Sequence, residues 1–382
     1  MKNYKRLGDY IREVNVRNRE LEVTKLVGLT IDKAFIPSVA NVIGTDLSNY
    51  KIIRKEQFAC SLMQVSRDGK MPVAMFEEDE AIMSPAYPMF EVIDKEILLP
   101  QYLMMWFSRS EFDREASYYA VGGVRGSLTW EDFCNMQLPI PSITRQREIV
   151  AEYETLTRRI RINEQMIQNL ESTAQTLYRK MFVDGIDKEN LPDGWRMGTL
   201  GEMCIVNPKL TINSKLLVPY IDMDSLPIKG FFMNKIQYKC FNSGMKFKNG
   251  DVLFARITPC MENGKAAIVT DLKENTIAFG STEFIVLRGK YQKLTSILAI
   301  LVRDEEFRTF AKTQMKGTDG RQRVDAISLL DYEMLIPEDK ILRKIESDLS
   351  MLHYQMYLIT KENFKLTELQ SLLLAKMGNK TQ

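Results

Sequence analysis

Two stretches of the chain repeat apolar residues on a seven-residue period. In the first, Ile149, Leu156, Asn163, Leu170 and Leu177 stand one heptad apart, with Tyr153, Ile160, Ile167, Ala174 and Met181 as the companion set. In the second, Ile345, Leu352, Ile359, Leu366 and Leu373 accompany Leu349, Met356, Asn363, Gln370 and Met377. Sustained for about five heptads, these are the a and d positions of a coiled coil. No Pro or Gly interrupts 142–184 or 338–377, so each stretch predicts one long helix. A helix of about 38 residues at ~1.5 Å per residue is a rod of about 57 Å.

Elsewhere the period shortens. Gly250-Asp251-Val252-Leu253-Phe254-Ala255 and Lys265-Ala266-Ala267-Ile268-Val269 are apolar runs bounded by turn residues and read as buried strands. Cys60-Ser61-Leu62-Met63-Gln64-Val65 and Met71-Pro72-Val73-Ala74-Met75 are their expected counterparts earlier in the chain. Helical patches fall near 101–116 and 292–315. The expected class is α+β, in globules of roughly 140–150 residues that contain many short strands.

The chain is an internal repeat. Leu138-Pro139-Ile140-Pro141 matches Met334-Leu335-Ile336-Pro337 at an offset of 196, and Arg147-Glu148-Ile149 matches Arg343-Lys344-Ile345 at the same offset. So does Lys180-Met181 with Lys376-Met377. The offset is 195 at Phe112 and Phe307, and 193 at Leu7-Gly8 and Leu200-Gly201, as small loop insertions would produce. The segments are therefore 1–142, a mixed α/β domain; 143–186, a long helix; 187–338, a second domain like the first; and 339–382, a second long helix. An antiparallel pairing of the helices would relate the two domains by a pseudo-two-fold axis. A register in which paired numbers sum to about 526 sets Asn163 against Asn363, Ile160 against Leu366 and Ile167 against Ile359. A buried amide pair fixes such a register, because a slipped Asn would face an apolar layer.

Composition narrows the chemistry. With 382 residues, 45% hydrophobic and 27% charged, the chain has enough apolar material for two cores. No run approaches the ~18 apolar residues of a membrane span, and the N-terminus carries no apolar signal core. Five cysteines without a C-x-x-C pair fit a reducing cytoplasm and give no zinc pattern. His353 is the only histidine, so a catalytic triad or a multi-histidine metal site has little to build on. It follows an a position and is expected on the outer, solvated face of its helix. The formal net charge is only +2, so any nucleic-acid surface must be local.

One such surface is the stretch carrying Lys229, Lys235, Lys239, Lys246 and Lys248, which has no acid between 225 and 250. Phe231, Phe232, Tyr238, Phe241 and Phe247 are interleaved with it. It reads equally as a phosphate-gripping face or as alternating strands with aromatics inward and lysines solvated. Arg256 and Lys265 flank a turn with Asn263-Gly264, and Arg67 and Lys70 flank Asp68-Gly69; both are groove-entering loops or plain turns. Arg125, in Gly122-Gly123-Val124-Arg125-Gly126-Ser127, and Arg321, in Gly317-Thr318-Asp319-Gly320-Arg321-Gln322-Arg323, hold equivalent places in the repeat. Their glycines let a backbone come close to another surface, and arginine offers a forked donor to guanine or phosphate. The DNA-contact candidates are Arg67, Lys70, Arg125, Lys235, Lys239, Lys246, Arg256, Lys265, Arg321 and Arg323.

The layout resembles the specificity subunit of a Type I restriction-modification system. The most specific element is the junction Leu138-Pro139-Ile140-Pro141-Ser142-Ile143-Thr144-Arg145-Gln146-Arg147-Glu148-Ile149-Val150, although Leu342 stands where the second copy would repeat Gln146. Gly250-Asp251-Val252-Leu253-Phe254-Ala255-Arg256 is similar to a G-D-[IV]-L-x-x-R stretch of target-recognition domains. The resemblance implies two such domains, each reading half of a split double-stranded DNA sequence. It also implies two methylation subunits that bind S-adenosylmethionine, and in many systems restriction subunits. The chain itself has no N-P-P-[YF] methylase signature, since Asn207-Pro208 leads to Lys209-Leu210. It has no Walker A loop and no evident nuclease set; Glu338-x-Lys340 lies at a helix start, where acids complement the dipole. No cofactor is expected in this chain, which should bind and position while other subunits catalyse. The alternatives are a stand-alone methylase or nuclease, and an architectural coiled coil that holds protein partners.

Overall fold

The structure, a computed structural model, describes residues 4–38, 44–63, 65–121, 126–184, 187, 189–233, 236–290, 293–318 and 322–378. The chain divides into two compact units, 1–158 with 366–382, and 159–365. This differs from a division at the ends of the long helices. Each helix is one continuous element, Ile143–Phe182 and Asp339–Gly378, yet each contributes one part to either unit. The reason is packing: Val150 and Met377 are buried in one core, and Ile167, Ala174, Tyr178, Phe182, Leu342, Ile345, Leu349 and Met356 in the other.

In the first unit, Tyr4–Arg6 pairs antiparallel with Gln137–Pro139, the strand that leads into the first long helix. A four-stranded antiparallel sheet runs in the order Ile11–Glu13, Met89–Val92, Phe58–Cys60, Val73–Met75. Helix Pro100–Phe107 opens on the ring-fixed φ of Pro100, which suits a first turn. Ser110–Ala120 and Trp130–Asn135 follow, the latter capped by the Thr129 hydroxyl, which accepts from the Asp132 amide at 3.0 Å. Phe58 and Phe90 stack at 5.0 Å between ring centres, with Phe107, Phe112 and Phe133 around them, all fully buried. Each such ring contributes about 1.5–3 kcal/mol by leaving water. The strand pairs Lys51–Arg54 with Glu80–Met83, and Val27–Leu29 with Phe35–Pro37, complete the unit.

The second unit repeats the plan. Trp195–Thr199 pairs with Glu333–Pro337, and the main sheet runs Cys204–Val206, Phe284–Gly289, Val252–Ala255, Ala266–Ile268, again all antiparallel. Thr295–Leu301 is buried throughout, and Glu305–Thr313 is capped by Asp304, which accepts from the Glu306 amide at 3.0 Å. The second sheet is where the copies part. Here it has four strands, Gln237–Cys240, Leu217–Ile221, Ala278–Gly280 and Met245–Phe247, with one parallel pair.

Three sequence expectations change. The strand counterpart of Val252–Ala255 is Phe58–Cys60, not 60–65, because the chain turns into a short helix, Val65–Asp68. Among the described residues of the lysine-rich stretch, only Gln237–Cys240 and Met245–Phe247 are strands; Phe231 and Phe232 are buried against His353 of the second long helix. His353 itself is not on a solvated face. It is 3% exposed, neither ring nitrogen has a hydrogen-bond partner among the described residues, and burial pulls its pKa down to about 3. The heptad reading failed there because the helix has two buried faces. Leu342, Glu346, Leu349, His353 and Met356 form a stripe at alternating four- and three-residue steps, in which Glu346 and His353 widen the buried face beyond the seam row of Leu342, Leu349 and Met356.

Buried polar groups pin each helix part. In the second unit Arg303 pairs with Glu171 of the first long helix, lies 4.2 Å over the Phe231 ring, and donates to the carbonyls of Pro227 at 2.9 Å and Ala266 at 3.2 Å. Glu171 also accepts the Gly230 amide at 2.7 Å. In the first unit Arg109 lies 4.0 Å over the Trp106 ring, and its Nε donates to the Leu374 carbonyl of the second long helix at 3.0 Å.

Candidate nucleic-acid interface

Each unit brings three segments to one corner of its main sheet: the turn after the third strand, the end of the second small helix, and the chain that returns toward the long helix. One backbone hydrogen bond marks the equivalence. The Leu128 amide donates to the Leu62 carbonyl at 2.9 Å, and the Val324 amide to the Arg256 carbonyl at 2.9 Å.

In the first unit the corner holds Ser66, Arg67, Ser117, Tyr118, Tyr119, Val121 and Gly126. Ser117 Oγ donates to the Val65 carbonyl and Ser66 Oγ to the Gly126 carbonyl, each at 3.4 Å. Gly126 has φ +69°, and a Cβ there would lie 2.1 Å from Ser66 Oγ, so only glycine allows the approach. Arg67 is paired with its neighbour Asp68 at 2.7 Å and Lys70 with Asp32 at 3.0 Å; both side chains are about half exposed or more. Tyr118 and Val121 project into solvent at 77% and 75% exposure. Sequence reasoning did not single out this apolar rim, since nothing in the local pattern separates it from a helix end packed on its core.

The corner of the second unit is cationic. The Ile257–Arg323 bridge and the Thr258 amide on the Gln322 carbonyl at 3.3 Å draw the hairpin strands Met315–Lys316 and Arg323–Val324 against the chain after Ala255. Arg256, Lys316, Gly317, Arg323 and Asp325 line a cavity of about 410 Å³. The Arg323 guanidinium is held by both oxygens of Glu283 at 2.7–2.9 Å, and Lys316 Nζ by Asp325 at 2.6 Å. Arg256 has no acidic or hydrogen-bonding partner for its side chain among the described residues, and its Nε is buried.

The other candidates stand apart from this corner. Lys265 Nζ donates to the Met223 carbonyl at 3.1 Å and sits 3.6 Å from the exposed Asp224. Lys239 and Lys246 belong to the second sheet, Nζ lying 3.8 Å over the Tyr220 ring and 5.0 Å over the Phe241 ring respectively. These contacts hold the ammonium groups on an aromatic surface while leaving them free for an anion. Arg125, Lys235 and Arg321 lie outside the described residues. Asn163 and Asn363 are brought together: Asn163 Nδ2 donates to Asn363 Oδ1 at 2.8 Å and to Glu362 at 3.0 Å.

The motif residues take structural roles. Asp251 of the Gly-Asp-Val-Leu stretch is 1% exposed; it accepts from Arg288 at 2.6 and 2.7 Å and from the Lys248 amide at 2.8 Å, stapling the strand start to its neighbour. Gln146 of the junction is fully buried. It donates to the carbonyls of Ile97 and Pro141 at 2.8 and 2.9 Å and accepts the Leu99 amide at 2.9 Å, just before helix Pro100–Phe107. In the second copy Leu342 takes its place and Glu346, one turn on, does the equivalent work: it accepts the Ser296 and Ile297 amides at 2.9–3.1 Å at the start of Thr295–Leu301. Burial pushes the Glu346 carboxyl up, and those amides pull against it.

Among the described residues no group of three His, Cys, Asp or Glu side chains could hold a metal ion, and no helix is long and apolar enough to cross a membrane. Burial raises the thiol pKa of Cys60, and that of Cys204 to about 12, so neither thiol is a ready nucleophile.

No family model matches the chain. It is 34% identical over 140 residues to the Type I restriction enzyme EcoAI specificity subunit of Escherichia coli, covering 35% of this chain and 24% of that protein. It is 26% identical over 170 residues to the EcoEI specificity subunit of the same organism, covering 43% and 28%. The matches thus span about a quarter of those relatives' length. A solved Type I restriction-modification S subunit from M. genitalium superposes with a TM-score of 0.59 at 13% identity, over 100% of this chain and 97% of that one, which shows a common fold. Over part of its length the chain is thus similar in sequence to specificity subunits of Type I restriction enzymes, and over its whole length it shares the fold of a solved S subunit.

Proposed function

We propose that the chain is the DNA-reading subunit of a cytoplasmic Type I restriction-modification complex. Each globule is a target-recognition domain for one half of a split duplex sequence. The long helices form an antiparallel coiled coil that sets the distance between the halves and gives the molecule its pseudo-two-fold plan. Two methylation subunits, with S-adenosylmethionine bound in them, and restriction subunits in complexes that have them, dock on this frame. The chain contributes no catalytic group.

The observation that carries this reading is the repeat itself. One sheet order occurs twice, with the same corner in each copy but different side chains and a different second sheet. Two similar readers with unlike surfaces suit two unlike half-sites on one duplex. The antiparallel pairing draws support from Thr157, bonded to Gln370 at 2.7 Å, beside the Asn163–Asn363 contact: going up one helix by six residues goes down the other by seven.

Footprinting of the complex assembled with its methylation subunits tests the proposal, using duplexes enriched from a random pool by that complex. Two protected patches at a fixed separation are expected. One continuous patch, or no enrichment, would refute it, as would methylation or cleavage of DNA by the purified chain alone.

A further inference from the structure

We propose that Arg256 is the seat of a DNA backbone phosphate in the second recognition domain. The inference rests on the DNA-reading function proposed above and deepens it.

Among the described residues, three cations line the corner cavity. Two have partners, Arg323 with Glu283 and Lys316 with Asp325. Arg256 is left over, partly buried, with Nε shut off from solvent and without an acceptor among the described residues. A half-buried guanidinium is a costly thing to leave unpaired, because it loses hydration without gaining an acceptor. The scaffold does not require it. In the first unit the same backbone position, marked by the same amide-to-carbonyl bond, carries Leu62. A fold that accepts leucine there in one copy has no structural need of arginine in the other.

The chemistry of the cavity selects the occupant. Among the described residues that line the cavity or pair there, each acid is already matched to a cation and one positive charge is uncompensated, and a phosphodiester carries one negative charge. Its two free oxygens suit the guanidinium fork, which reaches them with charge-assisted bonds. A guanine edge would take the fork but leave the charge. The contact would then fix the register of the duplex on this domain without reading a base.

Leu62 also supplies the test, since Arg256→Leu copies a side chain the scaffold already carries at this position. The complex assembled with its methylation subunits is titrated with its pool-enriched duplex and with single-base variants, at two salt concentrations. Arg256→Leu is expected to weaken binding about tenfold or more on every duplex alike. The slope of log K against log salt should become shallower by about 0.9. A neutral methylphosphonate scanned along the enriched duplex should find one position that weakens the wild type and leaves Arg256→Leu unaffected. Unchanged affinity and slope would overturn the proposal. So would a loss confined to one base pair with the slope intact, which would make Arg256 a base reader. If the wild-type complex enriches no duplex, the DNA-reading function falls, and the phosphate seat with it; if it does and Arg256→Leu binds normally, only the seat falls.

Discussion

Replacing Asn163 by leucine tests whether the amide pair sets the register of the long helices. Asn163 is fully buried, and its Nδ2 is shared between Asn363 Oδ1 at 2.8 Å and Glu362 Oε2 at 3.0 Å. A neutral hydrogen bond contributes about 1 kcal/mol and one to a charged group about 1.5–3. The loss is therefore roughly 2.5–4 kcal/mol, and burying leucine returns about 1.5–3. A net cost near 1–2 kcal/mol is expected, with the Asn363 amide now facing a methyl group. Asn363→Leu should cost less, because it removes the neutral bond while Asn163 Nδ2 keeps its bond to Glu362. In the double variant an apolar pair replaces both amides, so the two costs should not add. Urea unfolding of the full chain and its three variants gives the coupling energy directly. A coupling of about 1–2 kcal/mol is expected, with the double variant near wild-type stability. Additivity within ~0.5 kcal/mol would refute the reasoning, because it would mean that the amides do not recognise each other.

Gln146→Ala removes the buried amide that bonds two carbonyls and one backbone amide and should cost about 1–3 kcal/mol, measured as a shift of the urea midpoint at unchanged slope. Glu346 has a raised pKa in the fold, so the native state holds its proton more tightly. Its contribution to stability is full below the ordinary value of 4.5 and is lost as pH rises through the folded value. Glu346→Gln keeps an acceptor for the Ser296 amide and should flatten that part of the stability profile above pH 4.5. Removing one heptad from each long helix shortens the rod by about 10 Å, near three base pairs, and the enriched duplexes should then show a shorter gap; an unchanged gap would show that the helices are not the ruler.

The sequence was most readable where one period governs a long stretch. The heptads placed the starts of both long helices, although each ends four residues before the bound expected, and the repeat put the counterpart of Val252–Ala255 at 60–65, a few residues past the observed Phe58–Cys60. It was least readable where an element serves two faces. His353 sits off the a/d seam, and only the tertiary placement of Phe231 and Phe232 makes its face a buried one. The basic candidates were found by type, but their acids were not, because the partners are distant in sequence: Asp32 for Lys70 and Glu283 for Arg323. Within the corner cavity Arg256 differs from Lys316 and Arg323 in having no acid among the described residues, which no local pattern encodes.

A coiled-coil seam made only of apolar side chains can slide, since the hydrophobic effect has no direction. The proposed ruler would need each globule fixed to its helices, and directional bonds do this. In the first unit Gln146 ties the start of one helix to the loop before Pro100–Phe107, and Arg109 ties the end of the other through the Leu374 carbonyl. In the second, Glu346 caps Thr295–Leu301 from the start of one helix, and the Arg303–Glu171 pair holds the other. The two copies thus solve one mechanical problem with different residues: an amide one turn before the place where the other copy uses a carboxylate, and a carbonyl where the other uses an ion pair. Duplication kept the requirement and let the side chains drift wherever another donor or acceptor could meet it. At the corner cavity no internal acceptor meets Arg256 among the described residues. There the copies differ as leucine and an arginine without an acceptor among the described residues, a difference that packing neither demands nor neutralises and that the proposed phosphate seat would account for.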